Sequence, residues 1–126
     1  MPSQKNSGEQ HQKRFAVTLV AMAALAANRF IGYNGFYATS AGDTNDSQGV
    51  SEFAAAANGA VSVVTDYSYQ VEASQPIAFG DYVMPAIDGT GRAAVGAMAN
   101  HCGRALGAST AAGQLIEVQI VPQHHG

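Results

Sequence analysis

The sequence has one cysteine, Cys102, no tryptophan and, after Lys13, no lysine. A lone thiol excludes an internal disulfide and leaves too few thiolates for a structural zinc site, so packing or assembly has to hold the fold. Charge is scarce as well: 12% of residues are Asp, Glu, Lys or Arg, about half the usual share. The net charge of −3 conceals an asymmetry. Lys5, Lys13 and Arg14 against Glu9 give residues 1–14 a charge of +2, whereas Arg29, Arg92 and Arg104 face eight carboxylates in the remainder, for −5. An acidic, lysine-free body has no basic stripe with which to neutralise phosphates, so nucleic acid is not expected as a partner. No membrane partner is expected either, because no apolar run reaches the roughly 20 residues of a spanning helix. The run over residues 15–24 follows Lys5, Lys13 and Arg14 and continues into Ala24-Leu25-Ala26, the outline of a secretory signal. It is read in preference as the start of the folded domain.

The 126 residues fit one domain. By the area scaling of folded and extended chains, about two thirds of the surface can be buried, enough for a modest core. Hydrophobic residues make up 47% of the chain, and the sparse charge leaves part of the surface better suited to facing other protein than water. Residues 1–14 (MPSQKNSGEQHQKR) are polar and offer almost nothing to bury. They read as an extended N-terminal arm that is ordered only when a neighbouring subunit or another partner holds it.

From there the chain is punctuated at short intervals by turn signals, the pattern of an all-β domain. Asn34-Gly35 divides residues 28–33 from 36–39, Asn58-Gly59 precedes residues 60–65, and Asp88-Gly89 with Thr90-Gly91 separates 82–87 from 92–95. Apolar residues alternate at Val61, Val63 and Thr65, at Tyr67, Tyr69 and Val71, and through residues 115–121, where Ile116, Val118 and Ile120 share one face. Period two means strands with one buried side. Residues 43–48 and 74–80 read as loops. Residues 15–27 and 52–57 carry enough alanine to favour a helix by propensity. For the first, a strand over residues 14–20 followed by a looser Ala segment is preferred.

No group of residues amounts to a catalytic signature. His101 and Cys102, adjacent on a strand, point to opposite faces and cannot act as base and nucleophile together. His124 and His125 lack a third metal ligand. Asp43, Asn45 and Asp46 resemble a calcium loop only loosely, since Gln48 stands where a glycine is required and no glutamate closes the pattern. No cofactor, metal or catalytic residue is therefore assigned. Tyr33, Phe36, Tyr37, Tyr67, Tyr69 and Tyr82, placed on strands, suit core and cross-strand packing, with a sugar- or base-stacking platform as the lesser alternative.

Taken in order, the polar arm, VTLVAMAALAANRFIGYNG, GVSEFAAAANGAVSVVTDYSYQVEAS, PIAFGDYVMPAIDGTGRA, CGRALGAS and AAGQLIEVQIV resemble the capsid decoration (cement) proteins of tailed bacteriophages, over residues 14–121. The resemblance implies a small β-barrel- or β-tulip-like domain over residues 15–122, with the arm before it and a C-terminal tail at 123–126. It further implies a non-enzymatic virion protein on the outer surface of the mature head, made in the host cytoplasm. Its partners would be the major capsid protein and its own copies, as a dimer or trimer. Lys5, Lys13 and Arg14 are then expected to face acidic coat surface, and Phe15, Val17 and Leu19 to carry the contact into a strand that pairs with the coat or a sister subunit. The alternative from another class is a carbohydrate- or ligand-binding β-module of a phage fibre or secreted protein.

Overall fold

The computed structural model describes residues 16–41 and 45–125, except for the side chains of residues 122, 124 and 125. The arm over residues 1–14, Phe15, Asp43 and residue 126 lie outside them. Among the described residues there are nine strands and no α-helix: β1 (Ala16–Val20), β2 (Phe30–Gly32), β3 (Ser47–Ser51), β4 (Ala60–Val64), β5 (Ser68–Glu72), β6 (Tyr82–Pro85), β7 (Ala93–Val95), β8 (Asn100–Ala105) and β9 (Leu115–His125). They form a four-stranded sheet, β1-β4-β3-β2, and a five-stranded sheet, β5-β9-β8-β6-β7, with every pairing antiparallel. The small all-β domain expected from the turn spacing is the one observed, built from a curled half-barrel sheet and a second sheet.

The two sheets meet where β3 crosses β9 and β5. Between them lies the main core, in which Phe30, Val50 and Val64 of the first sheet meet Val71, Val83, Cys102, Ile116, Val118 and Ile120 of the second. Ile116, Val118 and Ile120 do share the buried face of β9. The four-stranded sheet is unusual in having a second buried face. Val61 and Val63 turn away from the main core and pack with Ala21, Leu25 and Ile31, against which Val17, Leu19, Tyr37 and Ala55 lie. Alternation in β4 therefore fails at Val64, which is as deeply buried as Val63, because a strand covered on both faces has no solvent row.

That second face is covered by the two Ala-rich stretches that propensity favours as helix. Their backbone groups bond to one another instead of within a helix. Leu25 and Ala55 exchange N–H···O bonds at 2.8 and 2.9 Å, and the Asn58 N–H donates to Ala21 O at 2.7 Å. Each stretch ends on an asparagine in the left-handed region, Asn28 at φ 62° and Asn58 at φ 68°. Ser51 closes the layer by donating its hydroxyl to Ala26 O at 2.7 Å and accepting from the Arg29 N–H at 3.1 Å.

Several sequence expectations need correction. The turn at Asn34-Gly35 has positive φ only at Gly35 (85°), with Gly35 N–H on Gly32 O at 3.2 Å and Gly32 N–H on Phe36 O at 2.8 Å. The expected hairpin is there, closed by a three-residue loop with a bulge glycine at Gly35. Residues 36–39 then make isolated bridges at Tyr37 and Thr39 and no strand. Tyr67 precedes β5 in the left-handed region at φ 63°. Ser47 and Gln48, expected in a loop, open β3. At the other end β9 continues to His125 through the region expected as a tail, and the break in its register with β8 falls around Pro122, where a missing N–H does least harm. Gln123 supports that extension: its carbonyl accepts from Ser47 N–H at 2.8 Å and its amide donates to Asn100 Oδ1 at 2.8 Å.

Candidate docking surface

β1 is an outer strand. β4 pairs with one side of it, and no strand pairs with the other among the described residues. The Ala21 N–H donates to Gly59 O at 2.8 Å, which fixes the phase of the β1–β4 register. Val17 and Leu19 accordingly turn their backbone groups to β4, whereas Ala16, Thr18 and Val20 turn theirs to the open side. Open edges are usually guarded by a charge, a proline, a bulge or extreme shortness. β1, with the sequence AVTLV and an unbroken five-residue register, has none of these.

The far end of this edge is flanked by the residue 33–35 hairpin. Met22 N–H donates to Gly35 O at 3.0 Å, and a Cβ at position 35 would come within 2.6 Å of Val20 O. Glycine is required there twice over, for its φ and for this approach. The two segments so joined carry Val20, Met22, Tyr33 and Phe36, all exposed large hydrophobic residues, with Tyr33 66% and Val20 56% accessible. An unguarded edge running into an apolar rim is the arrangement by which an extended segment of another chain adds to a sheet.

Of the expected contact residues, Lys5, Lys13, Arg14 and Phe15 lie outside the described residues. Val17 and Leu19 direct half-buried side chains at the second cluster. What β1 presents outward thus comes from the alternate set, Ala16, Thr18 and Val20, joined by Met22, Tyr33 and Phe36. Strand polarity could not be read before the pairing partner was known, although two aromatics flanking a turn glycine were a visible signal.

The aromatic residues do not line one strand. Tyr69 and Tyr82 alone among the tyrosines lie in strands. Tyr37 accepts the Ala26 N–H at 2.7 Å and lies beneath Arg29, Tyr69 packs on the main core, and Tyr82 carries Arg104 and His101 against its ring. A shallow hollow lined by Ser74, Gln75, Met84, Ile87 and Arg92 lies apart from these tyrosines. Cys102 and His101 face opposite ways, Cys102 inward with its thiol pKa pushed well up by burial. No group of three or more His, Cys, Asp and Glu side chains suited to a shared metal occurs among the described residues. Glu117 departs from its expected row: next to exposed Leu115 and Gln119 it is 6% accessible and accepts the Ser68 hydroxyl at 2.7 Å.

No family model and no curated protein matches the sequence. Solved structures do offer a match. The fold resembles the N base of head fiber gp8.5 of bacteriophage phi29. The TM-score is 0.59 over 84% of this chain and 92% of that one, at 21% sequence identity. At that identity the head fiber base and this chain share a fold, and the comparison extends to nothing finer. The fold shared with the head fiber base spans nearly all of that chain, so it concerns a whole domain and not a common hairpin.

Proposed function

We propose that this protein is a non-enzymatic capsid decoration protein that attaches to the outer surface of a mature phage head, bridges neighbouring major capsid protein subunits and stabilises the shell. The observation that carries the reading is a domain-long likeness to a phage head fiber base. An unguarded strand edge beside an apolar rim supports it, because a surface decorator needs a patch that is stable when covered by protein. In this reading the cationic arm, with Lys5, Lys13 and Arg14, meets acidic coat surface, and the adjoining β1 edge adds to a strand of the coat. The binding sites exist only on the expanded lattice, so binding favours that state by mass action. Repetition over symmetry-related sites then multiplies a modest single contact by avidity.

Co-sedimentation of the purified chain with mature and precursor heads of its phage tests the proposal. Saturable binding to mature heads alone, lost on deletion of residues 2–14 while the deleted chain keeps its fold, is the expected result. Absence of binding to either kind of head would overturn it. A carbohydrate-binding module receives less support, because the tyrosines are divided between two cores, a hairpin and separate strands.

A further inference from the structure

Arg29 and Arg92 both spend their guanidinium groups on carboxylates, those of Glu72 and Asp88, at 3.1 to 3.6 Å. Arg104 does not: among the described residues it has no carboxylate partner. Its side chain is nonetheless fixed. β8 sets Arg104 opposite Tyr82 of β6, and its guanidinium carbon lies 4.3 Å from the centre of the Tyr82 ring. Its Nε donates to Gly80 O at 2.9 Å. With Nε engaged and the plane stacked, Nη1 and Nη2 remain as a preset pair of donors, the geometry that matches a carboxylate.

The surroundings of this pair are those of an interface. His101 packs against the same Tyr82 ring, with centroids 4.8 Å apart, and its Nδ1 lies 3.1 Å from Met98 O. Met98 is 68% exposed, and Phe79, next to the Gly80 that anchors Arg104, is 72% exposed. Two segments, residues 79–82 and 98–104, thus bring Arg104 and His101 onto the Tyr82 ring on the outer face of the five-stranded sheet, and each also carries an exposed apolar side chain, Phe79 or Met98. Arg and Tyr dominate the energetics of protein interfaces, and Met and Phe are enriched in them.

We propose that Arg104, held between Tyr82 and the Gly80 carbonyl, is a receptor for a carboxylate side chain of a partner protein. The site lies on the five-stranded sheet, whereas β1 belongs to the other, and its occupancy does not depend on the partner's being a capsid. A protein acid fits better than a sugar acid, because sugar sites are concave and this stack shares no residue with the hollow beside Ile87. The setting adds selectivity: on a body whose net charge is negative, a fixed cation accepts an acidic group in one place and repulsion discourages it elsewhere.

The test is an NMR titration of the full-length chain with the peptide acetyl-AEAEA-amide, its glutamine counterpart acetyl-AQAQA-amide, and glucuronate, reading the Arg104 Nε–H and Tyr82 ring signals. The acidic peptide is expected to shift both signals saturably and to bind about ten-fold more tightly than the glutamine peptide. Arg104→Gln, an exposed change whose unchanged melting temperature verifies folding, is expected to abolish the response, and Arg104→Lys to weaken it by losing the planar fork. Equal response to the two peptides, or binding that survives in Arg104→Gln, would overturn the receptor. Tighter binding of glucuronate than of the acidic peptide would overturn the choice of a protein partner.

Discussion

At the scale of single residues, the structure concentrates its demands on a few positions. Gly35 combines φ 85° with a backbone neighbour 2.6 Å from where a Cβ would stand. Gly35→Ala is therefore expected to destabilise the protein by about 1–3 kcal/mol in urea denaturation, and to loosen the hairpin that flanks β1. Cys102 is 1% accessible, and burial holds its thiol well above the usual range, with the nearby Asp46 charge acting in the same sense and a Ser47 hydrogen bond opposing it. A thiol reagent at neutral pH should leave the native chain unlabelled over times in which the urea-unfolded chain reacts fully. Asp88 lies on the other side of its ordinary value. The Thr90 hydroxyl, 2.7 Å away, lowers its pKa, with further help from the Thr90 N–H and from Arg92. A carboxyl lowered on folding contributes stability above its unfolded pKa and loses it as pH falls through the folded value. Thr90→Ala should bring the Asp88 titration, followed by NMR, up toward ordinary aspartate and blunt that acid loss.

At the scale of elements, the legible and illegible parts of the sequence divide on physical grounds. β9 showed itself because Ile116, Val118 and Ile120 repeat at period two on a sheet with one main-core face. The Asp88-Gly89 and Thr90-Gly91 signals likewise mark a hairpin, between β6 and β7, with Gly89 and Gly91 both at positive φ. β4 was half legible: Val61 and Val63 alternate correctly, but Val64 is buried too, since the Ala-rich layer closes the far side of its sheet. Propensity overstated helix in that layer because it counts residues and not the bonds a neighbouring segment offers, here between Leu25 and Ala55. The strand at residues 16–20 was legible but the direction of its side chains was not, as Val17 and Leu19 turned out to face inward. Glu72 of β5 joins Arg29, ahead of β2, to Arg92 of the β6–β7 hairpin, so Glu72→Gln should cost about 1–2 kcal/mol of stability by thermal or urea unfolding. Val20→Lys places a charge on the open edge at a position 56% exposed, so it should leave stability within about 0.5 kcal/mol of the parent while abolishing head binding.

At the scale of the whole molecule, a small domain with an unguarded edge and an apolar rim presents an unsatisfied surface. Its two cores, one between the sheets and one beneath the Ala-rich layer, hold the body behind that surface. Charge is divided along the sequence between the cationic residues 1–14 and an acidic remainder. In the proposed assembly the arm steers the encounter and the β1 edge supplies the directional bonds, so the two contacts should fail separately under mutation but together under high salt only as far as the arm contributes. The most direct measurement is a high-resolution reconstruction of mature heads decorated with the intact chain. The account predicts the outward N–H and C=O groups of Ala16 and Thr18 within hydrogen-bonding distance of a neighbouring chain, with Val20, Met22 and Phe36 covered. Heads that bind the protein with this edge facing solvent, or that do not bind it at all, would contradict the account.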